Sequence, residues 1–229
     1  MDSIRACIFD AYGTLLDVHS AVMRNAEATG EHAEALSTLW RLRQLEYSWT
    51  RTLMGKYVDF WQITVDALDF ALKTYQLETQ GGLKERLLDA YLELGAYHDA
   101  AETLKSLRDR GYVTAILSNG NDAMLQGALK AGNLTDCLDA CLSVDELKIY
   151  KPDPRVYQFA CDRLSVTPGE VCFVSSNAWD LAGAGAFGFN TVRINRQSAP
   201  LEYDFSPLKH QVKALSELPA LLPSSVSKS

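Results

Sequence analysis

The first apolar run, Ile4-Arg5-Ala6-Cys7-Ile8-Phe9, is short and continuous, and it closes on Asp10-Ala11-Tyr12-Gly13. That is the pattern of a buried strand ending in a glycine turn. The period then changes. From Val18 to Leu94 no strand pattern occurs, and apolar positions recur at helical spacing instead. They are Leu36, Leu39, Trp40, Trp49 and Leu53, then Trp61, Val65, Leu68 and Leu72, then Leu83, Leu87, Leu88 and Tyr91. Gly30, Gly55 and Gly81-Gly82 punctuate this stretch, which predicts an all-helical insertion of about four helices. After Tyr97 helices and strands alternate. Asp99 and Glu102 have the spacing of an N-cap and its reciprocal partner, and Gly111 ends that helix. Tyr112 to Leu117 predicts a strand, Asp122 to Lys130 a helix, and Cys137 to Leu142 a strand. Asp153-Pro154 opens a helix with a cap and a first-turn proline. Val171 to Val174 is a strand, a helix runs through Leu181 to Phe187, and Phe189 to Ile194 is the last strand.

Strands alternating with helices imply right-handed crossovers and a parallel sheet, so the fold class is α/β. No internal repeat occurs. The 229 residues suffice for one large domain, or for a core with a smaller one. A net charge of −7 without any Lys/Arg cluster argues against a nucleic-acid surface. An anionic ligand must then meet a local cationic pocket. The cysteines, Cys7, Cys137, Cys141, Cys161 and Cys172, are odd in number and lack a C-x-x-C, as expected of reduced thiols in a cytoplasmic protein. Cys137 and Cys141 have no accompanying histidine cluster, so no metal site is expected. The start, Met-Asp-Ser-Ile-Arg, lacks an apolar signal core, and no segment is long enough to span a membrane.

Chemistry enters at the strand ends. Ligands of open parallel sheets bind beyond the carboxyl ends of the strands. The first strand ends at Asp10, the second at Ser118-Asn119-Gly120, the third at Ser175-Ser176-Asn177 with Asp180 shortly after. Lys151 precedes Pro152, which biases it toward an extended conformation. Taken singly, Asp10 is a common turn residue. Ser118 and Asn119 are equally helix caps, Lys151 a solvated cation, Asp180 a first-turn charge. If the sheet is parallel they share one edge, and their coincidence favours an active site.

These residues resemble the haloacid dehalogenase superfamily and, within it, the L-2-haloacid dehalogenases. The superfamily motifs are matched by Phe9-Asp10-Ala11-Tyr12-Gly13-Thr14-Leu15, Leu117-Ser118-Asn119-Gly120, Lys151-Pro152 and Phe173-Val174-Ser175-Ser176-Asn177-Ala178-Trp179-Asp180. The narrower resemblance adds Trp40-Arg41-Leu42-Arg43-Gln44-Leu45-Glu46-Tyr47, and Ser175-Ser176-Asn177 where the superfamily's phosphatases carry Gly-Asp-x. Only the tail lies outside it. The resemblance implies a Rossmann-like catalytic core over 1–16 and 97–220, a helical cap over 17–96, and a disordered tail over 221–229.

It further implies hydrolysis of L-2-haloacids to D-2-hydroxy acids, with inversion, through an Asp10 ester and without metal or cofactor. Arg41 would cradle the halide, with Asn119 donating and Trp179 lining. Ser118 would hold the substrate carboxylate. Lys151 and Thr14 would orient Asp10, and Tyr157 would buttress Lys151 or Asp180. Asp180 would direct water to the ester, supported by Ser175 and Asn177. Tyr12, Leu45, Phe60 and Trp179 would surround the substrate side chain. Arg43 is a rival to Arg41. The partners implied are the 2-haloacid, water, the halide product and a second copy of the chain as a homodimer, with neither nucleic acid nor membrane. Two other readings stand beside this one. A phosphatase on the same fold needs Mg²⁺ and a second Asp, where Tyr12 and Ser176 stand. A catalytically dead binding domain would have had no need to keep Asp10, Lys151 and Asp180 together.

Overall fold

Continuous apolar strands need cover on both faces, and a parallel sheet between helices supplies it. The structure, a computed structural model, describes residue 1, residues 3–203 and residues 208–224. Its strands are β1 (Ala6–Phe9), β2 (Val113–Ser118), β3 (Ala140–Ser143), β4 (Val171–Ser175), β5 (Asn190–Ile194) and β6 (Leu208–Val212). They pair in the order β3-β2-β1-β4-β5-β6, and every pairing is parallel. This is the order of the doubly wound nucleotide-binding fold, whose ligands sit where the winding direction reverses. Here that point lies between β1 and β4, and Asp10 follows β1.

Between β1 and the next strand the chain forms α1 (Ser20–Met23), α2 (Ala26–Thr29), α3 (Ala33–Met54), α4 (Phe60–Thr74), α5 (Leu83–Leu92) and α6 (Ala100–Asp109). The helical insertion has the expected long elements plus two single turns. Asp59 caps α4 by accepting the Gln62 amide hydrogen, and Gly55 closes α3 in the left-handed region. The buried face of α3, from Leu36 through Trp40 to Ser48, packs on α4, and the Trp40 indole donates to the Thr64 carbonyl at 2.9 Å. The remaining helices are α7 (Asp122–Ala131), α8 (Pro154–Leu164) and α9 (Ala178–Phe187). α9 packs on β4 and β5.

Four expectations need correction. The last strand is β6, not the run ending at Ile194. Its Lys-His-Gln centre hides the pattern, and an edge strand tolerates such polarity. Asp99 does not cap α6 with its side chain. Its carboxylate instead pairs with Arg196 and accepts the Leu215 amide at 2.7 Å. The segment expected to fray from residue 221 begins packed, because Leu222 is buried and the Tyr112 hydroxyl donates to the Pro223 carbonyl. Residues 225–229 lie outside the described residues. The strand expected over Cys137 to Leu142 starts later, after a 3-10 turn at Thr135–Cys137.

Candidate active site

The Asp10 amide continues the β1–β4 ladder by donating to the Val174 carbonyl at 3.0 Å, so its side chain is fixed at the sheet edge. Gly13, three residues on, has φ +90°, a conformation that turns the chain sharply and that L side chains avoid. The turn brings Thr14 back under the carboxylate. Asp10 Oδ2 accepts from Thr14 Oγ1 at 3.2 Å and from Asn177 Nδ2 at 2.7 Å, while Oδ1 accepts from Lys151 Nζ at 3.1 Å. Thr14 Oγ1 in turn accepts the Ser176 amide at 2.9 Å.

Lys151 is fully buried, and its ammonium also donates to Asp180 Oδ2 at 2.7 Å. One cation therefore joins two carboxylates. The Lys151 amide donates to Asn119 Oδ1 at 3.0 Å, which ties it to the end of β2. Burial works to lower the Lys151 pKa, but the charges of Asp180 and Asp10 together outweigh it and hold the ammonium above its ordinary value. Burial pushes Asp180 up to about 6, with the Asp10 charge adding to the rise and Lys151 opposing it. The Tyr157 hydroxyl donates to Asp180 Oδ1 at 2.8 Å and also reaches the Asp180 carbonyl at 3.2 Å. Burial, reinforced by the Asp180 charge, raises the Tyr157 phenol well above its usual value, so it stays a donor.

Ser118 and Ser175 are buried, and their oxygens accept the amides of Gly120 (3.2 Å) and Asn177 (3.0 Å). The Tyr12 ring stacks on Tyr91 with centroids 5.7 Å apart and tilts toward Phe60 at 6.1 Å. A Cβ on Gly120 would stand 2.8 Å from the Tyr12 ring, so only glycine lets the loop after β2 approach it.

A cleft of about 650 Å³ opens beside this cluster, walled by Tyr12, Gly13, Ser176 and Asn177 on the sheet side and by His19, Ser37 and Arg41 on the helical side. Asp10 lies directly behind Asn177. Arg41 Nη2 donates to the Tyr12 carbonyl at 3.4 Å. Arg43 does not line this cleft. It pairs with Glu46 and lies over the Phe70 ring, on the outer side of the α3–α4 pair.

The structure thus brings Asp10, Thr14, Lys151, Tyr157, Asn177 and Asp180 into one bonded network, with Asn119 joined through the Lys151 amide and Ser175 through the Asn177 amide. Asn177 departs from expectation, since its amide is committed to Asp10 and the Tyr12 carbonyl rather than to Asp180. Trp179 also departs. Its ring meets Trp49 edge-on and lines a separate apolar groove with Pro152 and Phe187, away from Arg41. Asp180 beside it turns inward to Lys151, and the Trp179 indole nitrogen is buried without a partner among the described residues. Leu45 is buried within α3, and Phe60 backs Tyr12 from behind, its ring edge against Tyr150. Neither lines the cleft. Residues of the cleft that sequence reasoning missed are His19, Arg193, Asn195 and Arg196. The last three close and follow β5, a strand end like those that signalled Asp10 and Ser118. Burial lowers the His19 pKa, and its Nδ1 lies 2.7 Å from Ser37 Oγ.

Comparison with known proteins identifies the family. Residues 4–188 match the haloacid dehalogenase-like hydrolase family. The chain is 72% identical over 228 residues to (S)-2-haloacid dehalogenase 4A of Burkholderia cepacia, covering 100% of this chain and 99% of that protein. It superposes on the crystal structure of a dehalogenase with an intermediate complex at a TM-score of 0.96, with 71% identity and 100% of both chains covered. It is also similar to the L-2-haloacid dehalogenase of Xanthobacter autotrophicus with chloropropionic acid covalently bound. There the TM-score is 0.88 and the identity 39%, covering 95% of this chain and 98% of that one.

Proposed function

Because the chain belongs to the haloacid dehalogenase-like hydrolases and, within them, to the (S)-2-haloacid dehalogenases, we propose that it hydrolyses L-2-haloacids to D-2-hydroxy acids through an ester on Asp10. The observation that carries this is a buried carboxylate at the switch point of the sheet, held by Lys151, Thr14 and Asn177. An Asp10 oxygen attacks the α-carbon from the side opposite the halogen. The new carbon–oxygen bond forms as the carbon–halogen bond breaks, the halide leaves with the electron pair, and the carbon inverts. Holding carboxylate and carbon in line is worth an effective molarity of roughly 10⁵–10⁸ M.

Arg41 lines the cleft without an acidic partner among the described residues, which suits it to the departing halide. The Asn119 amide nitrogen adds a donor, and Ser118 holds the substrate carboxylate. Such donors count for more where water is excluded. Water then attacks the ester carbonyl. Asp180 takes one proton from it and returns that proton to the product oxygen as the acyl–oxygen bond breaks, and Asp10 releases the second proton to solvent and returns as carboxylate. General-base catalysis of this kind contributes about 10²–10⁴-fold. Both Asp180 oxygens already accept one bond, yet each keeps a second lone pair.

Mg²⁺ does not fit this site. The Ser176 hydroxyl stands where the phosphatases carry an acid, and it donates to the Gly13 carbonyl at 2.8 Å. Mg²⁺ prefers carboxylate and phosphate oxygens, and the Lys151 ammonium already occupies the place between the two carboxylates. In this reading residues 1–16 and 97–220 are the catalytic core, and 17–96 are a cap that carries Arg41 to it. The active unit is a cytoplasmic homodimer, which sedimentation analysis tests. No helix among the described residues is long and apolar enough to cross a membrane.

The deciding experiment is halide release from each enantiomer of 2-chloropropionate, with chiral analysis of the product. D-lactate from the L-enantiomer alone is expected. Release from only the D-enantiomer, or retention at carbon, overturns the reading.

A further inference from the structure

Dehalogenation turns one monoanion into two. The haloacid carboxylate and water become a hydroxy-acid carboxylate, a halide and a proton. At the end of each turnover the cleft therefore holds twice the anionic charge that it admitted. In the scheme above Arg41 answers the halide with a charge, whereas Ser118 offers the carboxylate only a neutral hydroxyl.

A second guanidinium lines the same cleft. Arg193 is the fourth residue of β5 and stands beside Ser175 in the parallel ladder. Its backbone is two strand spacings from β1, or roughly 10 Å, at the same carboxyl edge. The residue is only 4% exposed. Nη1 donates to the Pro200 carbonyl at 3.0 Å, while Nε is buried without a partner. Among the described residues Arg193 forms no ion pair. Its neighbour Arg196 differs. Arg196 is neutralised by two 3.2 Å bonds to Asp99, and its guanidinium lies 4.0 Å from the centre of the Tyr97 ring.

A buried charge is costly unless something of opposite sign is placed against it. The acids of the cleft wall do not serve Arg193. Asp17 accepts the His19 amide, and Glu34 is exposed on α3. Room is present as well. Pockets of about 300–1,000 Å³ take drug-sized ligands, so a 650 Å³ cleft exceeds the needs of one haloacid.

We infer that Arg193 is the core of a second anion subsite in this cleft, for a small monovalent anion distinct from the one held at Arg41. The anion is either the released halide on its way out or the carboxylate of the hydroxy acid. The choice of these two anions rests on the dehalogenase reading. The existence of the subsite does not.

The test is chlorine-35 line broadening by the intact protein, with D-lactate as competitor, for wild type, Arg193→Gln and Arg193→Lys. Each variant is first shown to be folded by circular dichroism. Wild type should broaden the chloride line, and Arg193→Gln should lose about half of the excess, one of two arginine sites. If D-lactate removes that same half, the subsite serves the carboxylate. If D-lactate leaves it in place, the subsite serves halide. Unchanged broadening and unchanged D-lactate competition in Arg193→Gln overturn the inference. Should that variant fail to fold, Arg193→Lys decides. It keeps the charge but loses the donor fork, and chloride binding should weaken at least about threefold. Unaltered binding in Arg193→Lys is the overturning result there. No turnover is needed for this readout. An enzyme that releases no halide from 2-chloropropionate yet keeps the Arg193 component refutes the activity and leaves the subsite standing. Normal turnover with an indifferent Arg193→Gln does the reverse.

Discussion

Tyr157→Phe removes one oxygen from the site and little else. The ring keeps its edge-on contacts with Phe173 and Phe189, at centroid distances of 5.9 and 5.7 Å. What disappears is the 2.8 Å hydrogen bond to Asp180 Oδ1 and the longer one to the Asp180 carbonyl. A hydrogen bond to an ionised group is worth about 1.5–3 kcal/mol. One pKa unit corresponds to about 1.4 kcal/mol. Lys151, at 2.7 Å from the other oxygen, still steadies the carboxylate. The lower end of that range therefore applies, and the Asp180 pKa should rise by about one unit.

The direction follows from the protonation state required. Asp180 accepts a proton from water, so it acts ionised, and the hydrolytic rate falls as pH drops through its pKa. The variant therefore loses rate on the acid side and regains it in alkali. Half a unit above the wild-type midpoint, the ionised fraction falls from roughly three quarters to one quarter, about a threefold loss. About two units higher the two enzymes converge. The assay is single-turnover decay of the ester by rapid quench, followed across the acid range for both proteins. An acid limb that does not move, or a loss equal at every pH, refutes the assignment of Asp180 as the base.

Four further outcomes are expected. A single turnover in oxygen-18 water with excess enzyme should place the label in Asp10, and Asp10→Asn should not turn over; label found first in the hydroxy acid means that water attacks carbon directly. Arg41→Lys should lose most activity although the charge is kept, because an ammonium lacks the guanidinium fork; steady-state halide release measures this, and a near-normal Arg41→Lys beside an inactive Arg43→Lys moves the role to the neighbour. Exhaustive chelation should leave the rate unchanged and added Mg²⁺ should confer no phosphatase activity, whereas loss restored by Mg²⁺ identifies a metal site in the loop from Ser175 to Asp180. Gly120→Ala, whose new Cβ meets Tyr12 at 2.8 Å, should cost about 1–3 kcal/mol of stability by overpacking, read as a lower denaturant midpoint.

Much of the architecture was legible because β1, β2 and β4 are continuous apolar runs that no half-exposed strand would carry. The polar residues that close them were legible as a site for the same reason. What escaped has a common physical cause, which is partnership over long sequence distance. Asp99 and Glu102 have a local capping spacing, but the Asp99 carboxylate is claimed by Arg196, separated by 97 positions. Asn177 looked free to serve Asp180 until the fold set it 2.7 Å from Asp10. Arg193 sits within a strand and reads there as a solvent-facing residue. Arg41 and Arg43 face opposite sides of α3, two positions being roughly 200° of helix. Periodicity separates them without saying which side meets the sheet.

The single ammonium between Asp10 and Asp180 also sets an order of events. Once Asp10 is alkylated it carries no charge. Lys151 is then left with one anion instead of two, and the repulsion that Asp10 exerts on Asp180 is gone. Both changes favour the ionised form of Asp180. Consumption of the nucleophile thus arms the base, and it does so without any moving part. The acid limb of ester hydrolysis should accordingly lie below the titration of Asp180 in the resting enzyme.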